Sequence, residues 1–199
     1  MSLQFSYRFI SPFYDFFVTR ATAGARKRSL SRLPQQGMSR VLLSGAGTGL
    51  DFEFLYPGHD YTALDLTYAM LSRSAGKAKN LRMQWTQGDS MALPFADASF
   101  DFVVLHLIVA VVPDAERCLA EAARVVKPGG QILVFDKFLH RGQRAWLRRG
   151  ISLLTSRFVT RLNVIFEDVL AKVPNLKLVS DEEILAGGWF RLIVLSKFE

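Results

Sequence analysis

Residues 41–55 read VLLSGAGTGLDFEFL, a short apolar run followed by a glycine-rich turn and a helix-like segment. Gly45, Gly47 and Gly49 lack side chains, so the backbone of this glycine turn (residues 45–49) can adopt positive φ and approach a ligand closely. The helix after it would present free amide groups at its start. Asp65 follows 20 residues after Gly45, at the end of a second strand-like segment, where a carboxylate accepts hydrogen bonds from ribose hydroxyls. Turn and acid together predict one nucleotide-binding site.

The spacing of the glycines indicates which class of nucleotide this site would bind. A dinucleotide fingerprint places a third glycine where this chain has Leu50, which disfavours a nicotinamide cofactor. A phosphate-binding loop needs Lys and then Ser or Thr after its glycines, whereas Gly49 is followed by Leu50, Asp51 and Phe52, which disfavours a nucleoside triphosphate. Asp51, near the predicted helix start, disfavours an anionic phosphate and suits a ligand with positive charge. A turn that only connects a strand to a helix is the alternative interpretation.

Four blocks in order resemble the class I methyltransferases that use S-adenosylmethionine. They are SGAGTG at 44–49, ALDLTYAML at 63–71, QGDSMALPFADASFDFVVL at 87–105 and EAARVVKPGGQILVFD at 121–136. The resemblance covers about residues 38–138. It implies an α/β fold, a doubly wound Rossmann-like sheet of seven mostly parallel strands with helices on both faces, and an amino-terminal helical cap.

The same resemblance implies roles for individual residues. The glycine turn would pass under the methionine part of the cofactor, Asp65 would hold the ribose, Leu66 and Met70 would flank the adenine, and Asp89 would accept a hydrogen bond from the adenine amino group. The implied cofactor-binding residues are Gly45, Ala46, Gly47, Gly49, Asp65, Leu66, Met70, Asp89, Ser90, Met91 and His106.

One position departs from the family pattern. The residue before the first glycine is commonly Asp or Glu in these methyltransferases, and here it is Ser44. A hydroxyl retains a water-mediated contact with the amino group of the cofactor but brings no charge, so either the affinity is lower or another carboxylate substitutes. Ser44 also keeps open a noncatalytic, cofactor-binding relative.

The alternation of apolar runs and helical periodicity predicts the secondary structure. Five strands are expected at Val41–Ser44, Tyr61–Leu64, Arg82–Thr86, Phe100–Leu107 and Gln131–Phe135, and a terminal hairpin at Leu176–Val179 and Trp189–Lys197. Pro113 is expected to open a helix that Lys127-Pro128-Gly129-Gly130 closes. The chain is expected to be one domain over 1–199, with a cap at 1–37, a cofactor-binding core at 38–138, and substrate helices with the terminal strand pair at 139–199.

Composition agrees with one globular enzyme domain. The chain has 199 residues, of which 50% are apolar and 12% aromatic, enough to bury a full α/β core. The lone Cys118 lies in a predicted helix and is expected to be a packed thiol. His59, His106 and His140 show no ligand spacing, so no metal site is expected. The sequence shows no signal peptide and no apolar run of membrane-spanning length, which predicts a cytoplasmic location.

The basic charge is concentrated in two segments. The net charge is +7, and residues 1–40 and 137–166 each hold seven Lys or Arg, with one acid in the first segment and none in the second. In the second segment an apolar helical face (Leu147, Ile151, Leu154, Phe158) lies opposite a basic face (Arg141, Arg144, Arg148). Packing on the sheet with solvated arginines is one interpretation, and peripheral contact with an anionic membrane is the other. Nucleic acid ranks below both, because no RNA-binding module is recognisable.

These segments bear on the methyl acceptor, because acceptors of open α/β sheets bind beyond the strand ends. Aromatic and basic walls suit an amphiphilic acceptor, and the block pattern most resembles the subgroup that methylates quinone precursors and phosphatidylethanolamine. N-methylation of a phospholipid headgroup is the leading hypothesis; C- or O-methylation of a quinone precursor or another small molecule is the alternative. The candidate bases are His106, Tyr7, Tyr14 and Asp136, and the candidate phosphate contacts are Arg8, Arg144 and Arg148. The sequence carries no signal for an oligomeric state.

Overall fold

The computed structural model describes residues 22–139, 164–185 and 187–198. Seven strands form one sheet in the order β3-β2-β1-β4-β5-β7-β6. They are β1 Arg40–Ser44, β2 Asp60–Asp65, β3 Arg82–Gln87, β4 Phe100–His106, β5 Val126–Lys137, β6 Leu176–Leu185 and β7 Phe190–Lys197. The first five strands are parallel, and β7 runs antiparallel between β5 and β6. The predicted doubly wound, mostly parallel sheet and its terminal strand pair are confirmed.

The described helices lie on both faces of this sheet. They are α1 at residues 22–30, a 3₁₀ helix at Phe52–Phe54, α2 at Tyr68–Ala75, α3 at Ala115–Val125 and α4 at Phe166–Leu170. In β1, Val41 and Leu43 pack in the apolar cluster with Leu30 of α1, whereas Leu42 packs in the cluster that holds α3 and α4. Because successive side chains of a strand point to opposite faces, a central strand covered on both sides must be apolar throughout.

The segment after the glycine turn does not form the predicted helix. Only the three-residue 3₁₀ helix Phe52–Phe54 follows the turn, and Leu55 already has extended backbone with ψ of 139°. Pro57 disfavours helical backbone at the residue before it, and the turn ends at Gly49, so too few residues remain between them to propagate an α-helix. The amide groups at this edge of the sheet therefore come from the turn itself, without a helix dipole behind them.

The helix between β4 and β5 also differs in detail from the prediction. Asp114, not Pro113, caps α3, and its carboxylate accepts a hydrogen bond from the Arg117 amide at 2.9 Å. The motif at 127–130 does not close the helix, because α3 ends at Val125 and these residues form the first part of β5. Cys118 of α3 is buried as predicted, and burial raises the pKa of its thiol to about 12. A thiol with that pKa is a packing group at neutral pH.

Several predicted features lie outside the described residues. These are the aromatic amino-terminal segment with Tyr7, Arg8 and Tyr14, and the basic amphipathic stretch with Arg144 and Arg148. Within the three described ranges, no helix combines the length and the hydropathy that a membrane crossing requires.

The strand order places a crevice at the centre of the sheet. From β1 the chain proceeds to β2 and β3 on one side, and β4 begins the other half on the opposite side of β1. Open α/β sheets bind ligands at the carboxyl ends of the strands where the order reverses in this way. We call the space beyond the carboxyl ends of β1 and β4 the switch crevice.

Candidate functional site

The glycine turn is hydrogen-bonded to the last two residues of β2. The amides of Gly45 and Ala46 both donate to the carbonyl of Leu64, each at 2.8 Å. The next amide, that of Gly47, donates to the Oδ2 atom of Asp65 at 2.9 Å. The turn and the acid that the sequence paired by spacing are therefore joined directly, as one structural unit at the edge of the switch crevice.

The three glycines of the turn meet different demands. All three have left-handed backbone, with φ of +76°, +55° and +74° in chain order. A Cβ atom at Gly45 would lie 2.9 Å from the Ile108 side chain, and one at Gly49 would lie 2.9 Å from the Phe52 ring. At Gly47 the nearest atom to such a Cβ would be 4.0 Å away. The flanking glycines thus allow close packing of the protein, and the central glycine keeps open space beside the backbone.

Asp65 is oriented by the groups around its carboxylate. Its Oδ1 atom accepts hydrogen bonds from the amide and the hydroxyl of Thr67, at 3.0 and 3.2 Å, while Oδ2 accepts from Gly47. Four lone-pair sites are available on an ionised carboxylate, so one remains for a ribose hydroxyl. The sequence analysis did not identify Thr67, because a threonine that orients a neighbouring carboxylate has no distinct sequence pattern.

Exposed apolar side chains stand beside this carboxylate. Leu66 is 58% exposed and Tyr68 is 72% exposed, while Met70 is partly buried. Adjacent large apolar groups in water beside a polar site are typical of a surface that a ligand covers. Leu66 and Met70 as the adenine contacts stay a prediction.

The loop after β3 carries the predicted cofactor residues Asp89, Ser90 and Met91. Asp89 accepts a hydrogen bond from the Met91 amide at 2.8 Å, which fixes the loop conformation. The hydroxyl of the buried Ser90 lies 2.8 Å from that of Ser44, the residue that replaces the usual acid. Ser44 therefore ties the end of β1 to this loop. The cofactor roles of Asp89, Ser90 and Met91 stay predictions.

A buried charged cluster occupies the other side of the glycine turn. The guanidinium of Arg26 lies 2.7 Å from Asp51, and the same Asp51 oxygen lies 2.9 Å from Nδ1 of His106. Burial raises the pKa of Asp51, but the charges of His106 and Arg26 outweigh it and hold that pKa well below its usual range. Asp51 is therefore paired with Arg26 of α1, and its suitability for a positively charged ligand stays a prediction.

His106 lies at the end of β4, as the sequence predicts, but both of its ring nitrogens contact protein groups. Nδ1 faces Asp51 and Nε2 lies 2.9 Å from the Ser29 hydroxyl, with the ring buried. Because Asp51 is an acceptor, Nδ1 carries a proton and donates to it, while Nε2 shares a hydrogen bond with the Ser29 hydroxyl. In this arrangement neither nitrogen faces the switch crevice unpaired. Catalysis by His106 stays a prediction that requires the Ser29 contact to break.

Asp136 at the end of β5 is the second buried acid near the switch crevice. It accepts hydrogen bonds from the amides of Ala110 and Lys137, at 2.9 and 2.8 Å. Burial raises its pKa to about 6, and these amides offset part of that rise. Asp136 thereby anchors the loop after β4 to the adjacent strand.

The chemistry of the described groups fits a nucleoside with a ribose diol and a nonphosphate tail. A carboxylate, open space beside Gly47 and exposed apolar side chains lie around one edge, and among the described residues no α-helix begins directly after the glycine turn. No cluster of three or more His, Cys, Asp or Glu side chains suited to a metal ion occurs among residues 22–139, 164–185 and 187–198.

Comparison with known proteins identifies the same core. Residues 42–134 match the family described as a methyltransferase domain. The chain is 29% identical, over 90% of each chain, to the phosphatidylethanolamine N-methyltransferase of Cereibacter sphaeroides. It is 39% identical to the ubiquinone/menaquinone biosynthesis C-methyltransferase of Dinoroseobacter shibae, over 52% of this chain and 44% of that relative. A solved S-adenosylmethionine-dependent methyltransferase of Thermotoga maritima shares the fold, with a TM-score of 0.66, 19% identity and 96% of each chain covered.

We expect Asp65→Ala to weaken binding of S-adenosylhomocysteine by about 10- to 150-fold, since one hydrogen bond to a charged acceptor contributes about 1.5–3 kcal/mol. Isothermal titration calorimetry measures the affinity. Asp60→Ala is the matched control, because Asp60 begins the same strand and pairs on the surface with Arg82. Unchanged affinity in Asp65→Ala would show that the ribose is held elsewhere.

A second prediction separates backbone strain from crowding in the site. Gly45 and Gly129 share a φ of +76°, but a Cβ at Gly129 would meet nothing within 4 Å. Each Ala substitution should cost about 1–2 kcal/mol of stability through the backbone. Only Gly45→Ala should also lower the affinity for S-adenosylhomocysteine, since Ile108 would have to move. Equal affinities in the two variants, by calorimetry, would contradict this.

The raised pKa of Asp136 predicts a pH-dependent stability. Its folded pKa of about 6 exceeds the unfolded value of about 3.9, so the native state binds this proton more tightly. The stabilisation is therefore complete below pH 4 and is lost as the pH rises through 6. Relative to Asp136→Asn, the wild-type free energy of unfolding should fall by about 3 kcal/mol between pH 4 and 8, at about 1.4 kcal/mol per pKa unit. Urea unfolding at each pH measures it, and a constant difference would refute the prediction.

Proposed function

Since this chain belongs to the S-adenosylmethionine-dependent methyltransferases and has their class I fold, we propose that it methylates an amphiphilic amine, first of all the headgroup of phosphatidylethanolamine. The length of the matched region supports this proposal. The match to the phosphatidylethanolamine enzyme spans 185 residues, whereas the match to the quinone enzyme spans 111. Acceptor-binding segments of an open α/β sheet flank the cofactor core, so the longer match says more about the acceptor.

The residues of the site suit a reaction that depends on positioning. When bound, S-adenosylmethionine supplies a methyl group already activated on a sulfonium, so the protein must orient the reactants and exclude water. Asp65 would hold the ribose while the glycine turn and Leu66 line the rest of the cofactor. The switch crevice, bounded by the ends of β1 and β4, would receive the acceptor amine beside them.

The environment of the buried acids and the histidine supports methylation of an amine rather than of a ring carbon. An amine attacks in its neutral form, and the proton it loses can pass to water, whereas a ring carbon or a phenol needs a positioned base. Among the described residues, His106 and Asp136 are the titratable candidates near the switch crevice, and both are engaged by protein groups. A reaction without a dedicated base is consistent with this arrangement.

C-methylation of a quinone precursor is the second candidate. The 39% identity to the quinone enzyme is higher than the 29% identity to the lipid enzyme, which favours this candidate within the core. A noncatalytic role is the third candidate, for which Ser44 in place of an acid is the supporting observation.

We also propose that the acceptor is reached at an anionic membrane surface. The two basic segments, residues 1–40 and 137–166, flank the cofactor core and together carry 14 Lys or Arg against one acid. Each base near an anionic surface contributes about 1 kcal/mol, and salt screens that attraction. In the described part of the first segment, Arg26, Arg28 and Arg32 pair with acids of the chain, so the contact would depend on the other bases.

The test is methyl transfer to defined acceptors. Purified chain and S-adenosylmethionine with a labelled methyl group are incubated with vesicles of phosphatidylethanolamine and phosphatidylglycerol, or with a prenylated hydroquinone in detergent. Label in N-methylated lipid is expected, with turnover and vesicle sedimentation both falling as salt rises. Asp65→Ala is the inactive control.

Each other outcome of this assay has a definite meaning. Label in the hydroquinone alone would overturn the lipid proposal in favour of the second candidate. No label in any acceptor, with S-adenosylhomocysteine still bound, would favour the noncatalytic role. Transfer to lipid without salt dependence would refute the electrostatic membrane contact and leave the acceptor proposal in place.

A further inference from the structure

The buried cluster of Arg26, Ser29, Asp51 and His106 joins three separate parts of the chain in the switch crevice. Arg26 and Ser29 come from α1, Asp51 follows the glycine turn, and His106 ends β4. We propose that Arg26 and Asp51 are positioning residues for the cofactor, which hold the glycine turn in its binding conformation and couple cofactor binding to the docking of α1. This inference rests on the cofactor of the family and is independent of the acceptor.

The glycine turn needs a second anchor. Its beginning is fixed by three hydrogen bonds to Leu64 and Asp65 of β2. Its end has only the hydrogen bond from Gly49 to Ala46 at 3.0 Å and a longer one from Phe52 to Gly49 at 3.3 Å, and a single 3₁₀ turn follows. Such a short 3₁₀ segment holds its ends weakly. The Asp51 side chain supplies the missing anchor.

The contact between Asp51 and Arg26 is a strong anchor because both side chains are buried. The side chains of Arg26 and Asp51 are 8% and 7% exposed, and their contact is 2.7 Å. A buried carboxylate separated from its partner is left as an uncompensated charge in a low dielectric, which is unfavourable. Asp51 therefore occupies this position only while Arg26 is docked, and a displaced turn would break the pair. His106 and Ser29 complete the cluster, so that Asp51 is held from two elements at once.

Binding of the cofactor and docking of α1 are thermodynamically linked. If docking of α1 stabilises the turn conformation that binds the cofactor, then bound cofactor must stabilise docked α1 by the same factor. Arg26 is joined to Asp51 and to Thr22, and is not among the residues predicted to contact the cofactor. An effect of Arg26 on affinity would thus act through the turn. Since α1 lies within the predicted cap at 1–37, this coupling would join that part of the cap to the cofactor.

The neighbouring Arg28 provides a matched control. It lies on the same helix and carries the same charge, but its guanidinium pairs with Glu182 of β6 at 2.6 Å and is 61% exposed. Arg28→Gln therefore removes an equal charge and an ion pair from α1 without touching Asp51 or the glycine turn. The contrast between the two variants isolates the contact to Asp51 from general loss of basic charge.

The experiment is calorimetric titration with S-adenosylhomocysteine. Arg26→Gln should weaken the affinity by about tenfold or more, within the usual range of coupling between sites, and Arg28→Gln should change it less than about twofold. Arg26→Lys, which restores the charge beside Asp51, should recover part of the loss. A cooperatively folded Arg26→Gln protein with wild-type affinity would overturn the proposal, since a merely structural role would lower the bound fraction and not the affinity.

A second measurement uses the wild-type chain, so it stands even if Arg26→Gln fails to fold. Hydrogen exchange at the backbone amides of residues 22–30 is followed with and without saturating S-adenosylhomocysteine. Slower exchange on binding is expected, because the ligand would stabilise docked α1. Exchange at 22–30 that does not respond to the ligand, while amides of the glycine turn become protected, would refute the coupling.

Discussion

Three hydrogen bonds between the glycine turn and the end of β2 organise the candidate site. They bring the Gly47 amide to Asp65, so the backbone that faces the open space and the acid predicted to bind the ribose are held in one unit. The turn requires left-handed backbone at its three glycines, and the central position of β1 between β2 and β4 places it at the switch crevice. The apolar faces of the sheet pack against the described helices.

The three aspartates near the crevice differ in function because their surroundings differ. Asp65 is partly exposed and receives donors that orient it while leaving room for a ligand. Asp51 is buried, and its neighbouring cations keep its pKa low, so it serves as an internal anchor. Asp136 is buried with amide donors only, so burial dominates and its pKa rises to about 6. Identical side chains are thus suited to ligand binding, anchoring or loop closure according to local charge and desolvation.

The two terminal strands form ion pairs with neighbouring elements. Glu182 of β6 pairs with the half-buried Arg32, which follows α1, and with the exposed Arg28 of α1, so the antiparallel edge of the sheet contacts this part of the chain. On β7, the buried Arg191 pairs with Asp181 of β6 and with Glu167 of α4, and these pairs join the last two strands to a helix on the sheet face. Ion pairs of this kind fix the relative positions of elements whose sequences carry little pairing information.

The sequence by itself determined the strands, the glycine turn and the acid at the end of β2, because these depend on local periodicity, on φ and on fixed spacing. It also located His106 and Asp136 at strand ends. The structure corrected the helix expected after the turn, although Pro57 and the short segment after Gly49 were already local signals against it. It alone showed that Asp51 is neutralised by Arg26, that His106 is engaged by Ser29, and that Ser44 bonds to Ser90. Those partners lie 25 to 77 residues apart, and local sequence patterns carry no information on such contacts.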